Sequence, residues 1–91
     1  MKYVLRYESP ADVDVEALRA HFPAHQARWA AFQAEQTLLL IGPFADQSGA
    51  LAVFTTHEAA HDFATSDPFV LAGLVERWTI TAWQEVLLDP R

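Results

Sequence analysis

The chain contains no cysteine, which excludes disulfides, thiolate nucleophiles and cysteine-based zinc sites together. Positive charge is scarce: six basic residues stand against twelve acidic ones, for a formal net charge of −6. That balance repels phosphate backbones and argues against nucleic acid as a partner. Long apolar runs are missing as well. Leu38 to Ile41 is stopped at once by Gly42-Pro43, far short of the roughly 18 residues that cross a bilayer, so no membrane partner is expected. Met1 to Glu8 carries charges inside its apolar run and lacks the apolar core of a secretory leader, so a cytoplasmic location is expected.

What the chain does hold is apolar surface. Of its 91 residues 52% are hydrophobic and 20% charged, which predicts a packed core. A chain of this length builds one domain, here taken as residues 1–91, and buries only about 60% of the surface its unfolded form exposes. The surplus points to a subunit interface.

Tyr3, Leu5 and Tyr7 alternate with Val4 and Arg6, the period of a strand. Ser9-Pro10 turns the chain, and Asp12, Asp14 and Glu16 place negative charge where a helix N-terminus attracts it. Pro23 predicts a break or kink, with the main helix starting there and running to about Glu35 or Gln36. Thr37 to Ile41 and Ala50 to Thr55 read as strands around an Ala45–Gly49 loop. Thr55 with Glu58 fits a capping box for a helix over His57–Thr65, which Ser66-Asp67-Pro68 stops. A short helical or irregular return over Phe69–Leu74 and a last strand over Arg77–Leu87 complete the order, with Trp78, Ile80, Ala82 and Val86 on one side of the pleat. The order βαββαβ predicts an α+β, ferredoxin-like fold: a four-stranded antiparallel sheet with its helices on one face. Strands two and three are apolar at successive positions, so both faces want cover, and a homodimer through the open sheet face is expected.

Four histidines form two i, i+4 pairs, His21 with His25 and His57 with His61. His57-Glu58-Ala59-Ala60-His61 matches the zinc-hydrolase pattern HExxH. Glu58 is already explained as a capping residue, and so small a chain has little room for a substrate groove and third ligand. The pair is read as a solvated helix flank, with no metal expected. His25 differs: Leu18, Phe22, Trp29 and Phe32 fall within about 60° of it on a helical wheel, so it belongs to the stripe that faces the sheet. Desolvation and a place in the first turn after Pro23 favour a neutral imidazole, which serves as a general base when one nitrogen is held and the other faces a cavity. The bland alternative is a core histidine bonded to a backbone carbonyl. Asp67 reads as an Asx turn or helix cap. With both helices on one sheet face it also comes within reach of His25 and can orient the ring. Ser48 beside Gly49 is a weaker candidate for ligand contact, and Trp29, Phe44 and Phe69 are candidates to line a pocket.

His25 followed seventeen residues later by Gly42-Pro43, then Ser48-Gly49, Asp67-Pro68-Phe69 and Ala72-Gly73-Leu74 resemble the YciI-like (YCII-related) family over nearly the whole chain. The resemblance implies a dimeric αβ-barrel and a pocket with a His and Asp pair, which falls on His25 and Asp67. His21, His57 and His61 match no functional position of that pattern. The expected break at Pro23, two residues before His25, departs from it. One branch of the family resembles a dehydrochlorinase of a chlorinated hydroxyhydroquinone. The implied activity is a cofactor-independent lyase, dehydrohalogenase or isomerase acting on a small, aromatic or enolisable molecule, with no metal or redox cofactor. A noncatalytic small-molecule binding or regulatory module on the same fold is the alternative, and a cofactorless oxygenase is a third reading.

Overall fold

Alternation of Tyr3, Leu5 and Tyr7 with Val4 and Arg6 builds the first strand of a computed structural model that describes residues 1–88, leaving 89–91 of the expected domain outside the described residues. The elements run β1 (Lys2–Glu8), α1 (Val15–Ala34), β2 (Leu38–Pro43), β3 (Gly49–Phe54), α2 (His57–Ser66), α3 (Pro68–Leu71) and β4 (Arg77–Trp83). The strands form one sheet in the order β2-β3-β1-β4, every neighbouring pair antiparallel. This is the expected βαββαβ arrangement with one short extra helix.

Register decides which side chains meet. Leu5 lies opposite Ala52 and Ile80, and Tyr7 opposite Ala50 and Trp78, so these residues share the helix-covered face of the pleat. There Leu5, Tyr7, Ala52 and Phe54 pack with Ala59, Ala60, Phe63 and Ala64 of α2. The small alanines let α2 lie close, and Phe63 and Phe54 fill the space between. The opposite face carries Val4, Arg6, Leu51, Thr79 and Thr81 by the same alternation.

Three expectations about the elements are corrected. No break occurs at Pro23: α1 is one helix of 20 residues with Pro23 inside it. Proline removes one backbone bond, at a cost of about 3 kcal/mol, but both ends are fixed. Asp14 accepts the Ala17 amide at 3.0 Å. At the far end Gln36, in the left-handed region at φ 63°, closes a Schellman turn through Gln36 N to Gln33 O and Thr37 N to Phe32 O. His25 is therefore mid-helix, and the expected influence of a helix start on its ring does not apply. The cap of α2 is Thr56, not Thr55, accepting the Ala59 amide at 3.1 Å. Glu58 is thus the second helical residue and completes no capping box. Last, β4 ends at Trp83 instead of Leu87, because its partner β1 begins at Lys2, opposite Trp83. Val86, expected on the packed side of that strand, is 77% exposed.

Candidate functional site

The later half of α1 packs Trp29 and Phe32 against the core, whereas the earlier half stands off the sheet. A cavity of about 1040 Å³ lies between them. Val15, Leu18, Phe22, His25 and Trp29 line it from α1, the spacing of a single helical face. Its sheet wall includes Leu5 and Tyr7 from β1 and Ala50 and Ala52 from β3, and Phe69 closes the inner end from α3. The apolar stripe that periodicity assigned to the sheet is here a cavity wall over its first half.

At this wall the chain brings together residues 42 positions apart: His25 Nδ1 lies 2.8 Å from Asp67 Oδ1. His25 is 8% and Asp67 0% exposed. Asp67 also accepts the Phe69 amide at 3.1 Å, which makes it the cap of α3, and takes the Tyr7 hydroxyl on Oδ2 at 2.6 Å. Asp67 is therefore the cap of α3 and at the same time the contact of the His25 ring. A carboxylate accepts in such a contact, so the tautomer that fits it carries the proton on His25 Nδ1 and leaves Nε2 as an acceptor. The ring is clamped: Phe69 stacks on it at 4.1 Å and 15°, and Phe63 meets it edge-on at 5.9 Å. Burial, with the Asp67 charge and hydrogen bond added, pushes the Tyr7 hydroxyl well above the ordinary phenol range. Tyr7 stays a donor.

Arg28, one turn beyond His25, ties the two helices. Its Nη2 donates to the carbonyls of Asp62 at 3.1 Å and Phe63 at 3.3 Å near the end of α2. The guanidinium lies over the rings of Phe32 and Phe63 at 5.4 and 5.6 Å. Asp67, which follows α2 directly, is thereby fixed relative to His25.

Trp29, Phe44, Gly49 and Phe69 all line the cavity, but Ser48 does not. Ser48 is exposed, its amide donating to Asp46 Oδ1 at 2.9 Å and its carbonyl accepting from the Ser9 amide. Its neighbour Gln47, at φ 64°, reaches the lining instead. Gly49 has a backbone reason: a Cβ there would overlap the Tyr7 carbonyl. Tyr7 and Arg28 escaped the sequence reading. A tyrosine on the apolar side of a strand demands a partner for its hydroxyl, and that signal was present at Tyr7.

The second histidine pair lies elsewhere. His57 meets Tyr3 edge-on at 5.9 Å, and His61 meets Trp78 in the same way. Among the described residues no three His, Cys, Asp or Glu side chains converge as a metal site would require. No helix among them is long and apolar enough to cross a membrane.

Comparison with solved structures shows the same fold. The 5-chloro-2-hydroxyhydroquinone dehydrochlorinase of Burkholderia phenoliruptrix AC1100, solved with 2,5-dihydroxybenzoquinone, is 18% identical at a TM-score of 0.76, the match covering 94% of this chain and 96% of that one. Rv0793 of Mycobacterium tuberculosis is 18% identical at a TM-score of 0.51, over 93% and 95% of the two chains. A hypothetical Arabidopsis thaliana protein is 10% identical at 0.51, over 98% and 90%. No curated protein matches. The family model of the YCII-related domain matches residues 1–84, and the chain belongs to that family.

Proposed function

We propose that the protein is a cofactor-independent lyase of the dehydrohalogenase type, or an isomerase, acting on a small aromatic or enolisable molecule. One observation carries the reading: a buried imidazole at a cavity wall, its Nδ1 held by a carboxylate at 2.8 Å, is the arrangement of a general base with its orienter. His25 Nε2 takes a proton from an acidic C–H or O–H of the ligand. In elimination the electron pair released expels a halide and the imidazolium gives its proton to solvent; in isomerisation the pair moves to an adjacent carbonyl and the imidazolium returns the proton to another atom of the resulting enolate. Asp67 fixes the tautomer and balances the imidazolium. Membership of the YCII-related family and the likeness in fold to a dehydrochlorinase support this class. A homodimer through the outer sheet face belongs to the same reading, supported by Leu40 at 67% and Trp83 at 49% exposure. So does a cytoplasmic location.

The test is chloride release from 5-chloro-2-hydroxyhydroquinone, with solvent deuterium exchange into the unchlorinated ring as a second readout. His25→Gln and Asp67→Asn should each lower both rates by about 100-fold or more while circular dichroism stays native. Rates that survive both changes, with ligand binding intact, would establish the noncatalytic binding module instead.

A further inference from the structure

Twelve of the 91 residues are acidic, yet none of them lines the cavity. Three carboxylates of the flanking segments are engaged elsewhere. Glu8 pairs with Arg77 at 2.5 Å, Asp46 bends back onto the Ser48 amide at 2.9 Å, and Asp14 caps α1. Asp67 is enclosed behind His25. The permanent charge in the lining is a cation, Arg19. Its Nη1 rests 2.8 Å from Glu16 Oε1, and both side chains are largely exposed, so the pair is weak and exchangeable. Arg19 precedes His25 by six residues on α1, about 9 Å along the helix axis. Between and beside them the wall is apolar, with Leu18, Phe22 and Trp29. Phe22 is 45% exposed, and its ring lies 6.1 Å from that of His25.

We infer that the cavity takes a ring-bearing anion: a carboxylate or ionised enol is received by Arg19, which leaves Glu16 for it, while the apolar body lies on Phe22 and Trp29 and its far end reaches His25. The ligand anion replaces one acceptor of Arg19 by another, so the cation is never left unpaired. The guanidinium fork suits both oxygens of a carboxylate. This rests on the preceding section for the location of the site, but not for its chemistry.

A matched pair of probes tests it. Calorimetry at pH 7 and low salt compares 4-hydroxyphenylacetate with its primary amide, which has the same shape and no charge. The acid should bind about tenfold more tightly than the amide, and the preference should shrink in high salt. Arg19→Gln should abolish the preference, and Glu16→Gln, which frees Arg19, should strengthen acid binding severalfold. Equal binding of acid and amide, no acid binding at millimolar concentration, or a preference that survives Arg19→Gln would each overturn the inference. His25→Gln separates the two readings: it should keep the preference for the acid while losing proton exchange. Loss of the preference alone sinks the anion site, and exchange that persists in His25→Gln sinks the base.

Discussion

Tyr7 carries the clearest pH signature. Its hydroxyl is raised above the ordinary value of 10.0, mainly by burial and next by the charge of Asp67. The unfolded chain ionises this phenol near pH 10 while the folded chain keeps it protonated. The stability it contributes is therefore complete below pH 10 and declines as the pH rises beyond that value. An alkaline titration followed by tyrosinate absorbance should show Tyr7 ionising only together with loss of near-UV circular dichroism. Tyr7→Phe should remove that coupling and, by stripping a buried carboxylate oxygen of its partner, cost about 1–3 kcal/mol at neutral pH in urea denaturation. At this scale the sequence was partly legible. His25 stood out because an imidazole among Leu18, Phe22, Trp29 and Phe32 is out of place. Ser48 misled because a Ser-Gly loop looks like a ligand loop, whereas the tight approach of Gly49 to β1 turns the serine outward.

Helix α1 shows why elements are harder to read than residues. Pro23 is a local signal for a stop, but continuity here depends on caps at Asp14 and Gln36 and on the packing of Trp29 and Phe32, which no window of sequence contains. Pro23→Ala should restore the missing backbone bond at Arg19 O and stabilise the protein by about 2 kcal/mol, read as a higher urea midpoint at unchanged slope. The start of α2 slipped by one residue for a comparable reason. Thr55 and Thr56 are equal as caps in composition, and only the pairing of β3 through Phe54, with the Thr55 amide held by Thr37 O at 2.9 Å, leaves Thr56 to turn into the helix.

Across the whole molecule the order of elements was legible because turn-forming residues bound each one: Ser9-Pro10, Gly42-Pro43, Ser48-Gly49 and Ser66-Asp67-Pro68. Some of the cavity's lining was legible too, at Trp29, Phe44 and Phe69, but not its size, since the distance between α1 and the sheet is set by tertiary packing. The same packing leaves Leu39, Leu40 and Trp83 about half exposed or more, which is the physical basis for expecting two chains together. Sedimentation at micromolar concentration should give about twice the 10.2 kDa chain mass, and Leu40→Lys, placing a charge in that face, should shift the protein to the single-chain mass. A wild-type monomer at that concentration would overturn the dimer. Asp67 has the widest reach of any residue described. It ends α2, caps α3, anchors Tyr7 and holds His25, so the architecture and the proposed chemistry share one carboxylate. On the proposed reading, losing the imidazole ends the reaction and spares the fold, whereas losing the aspartate costs both, so substitutions at the two positions separate catalysis from folding.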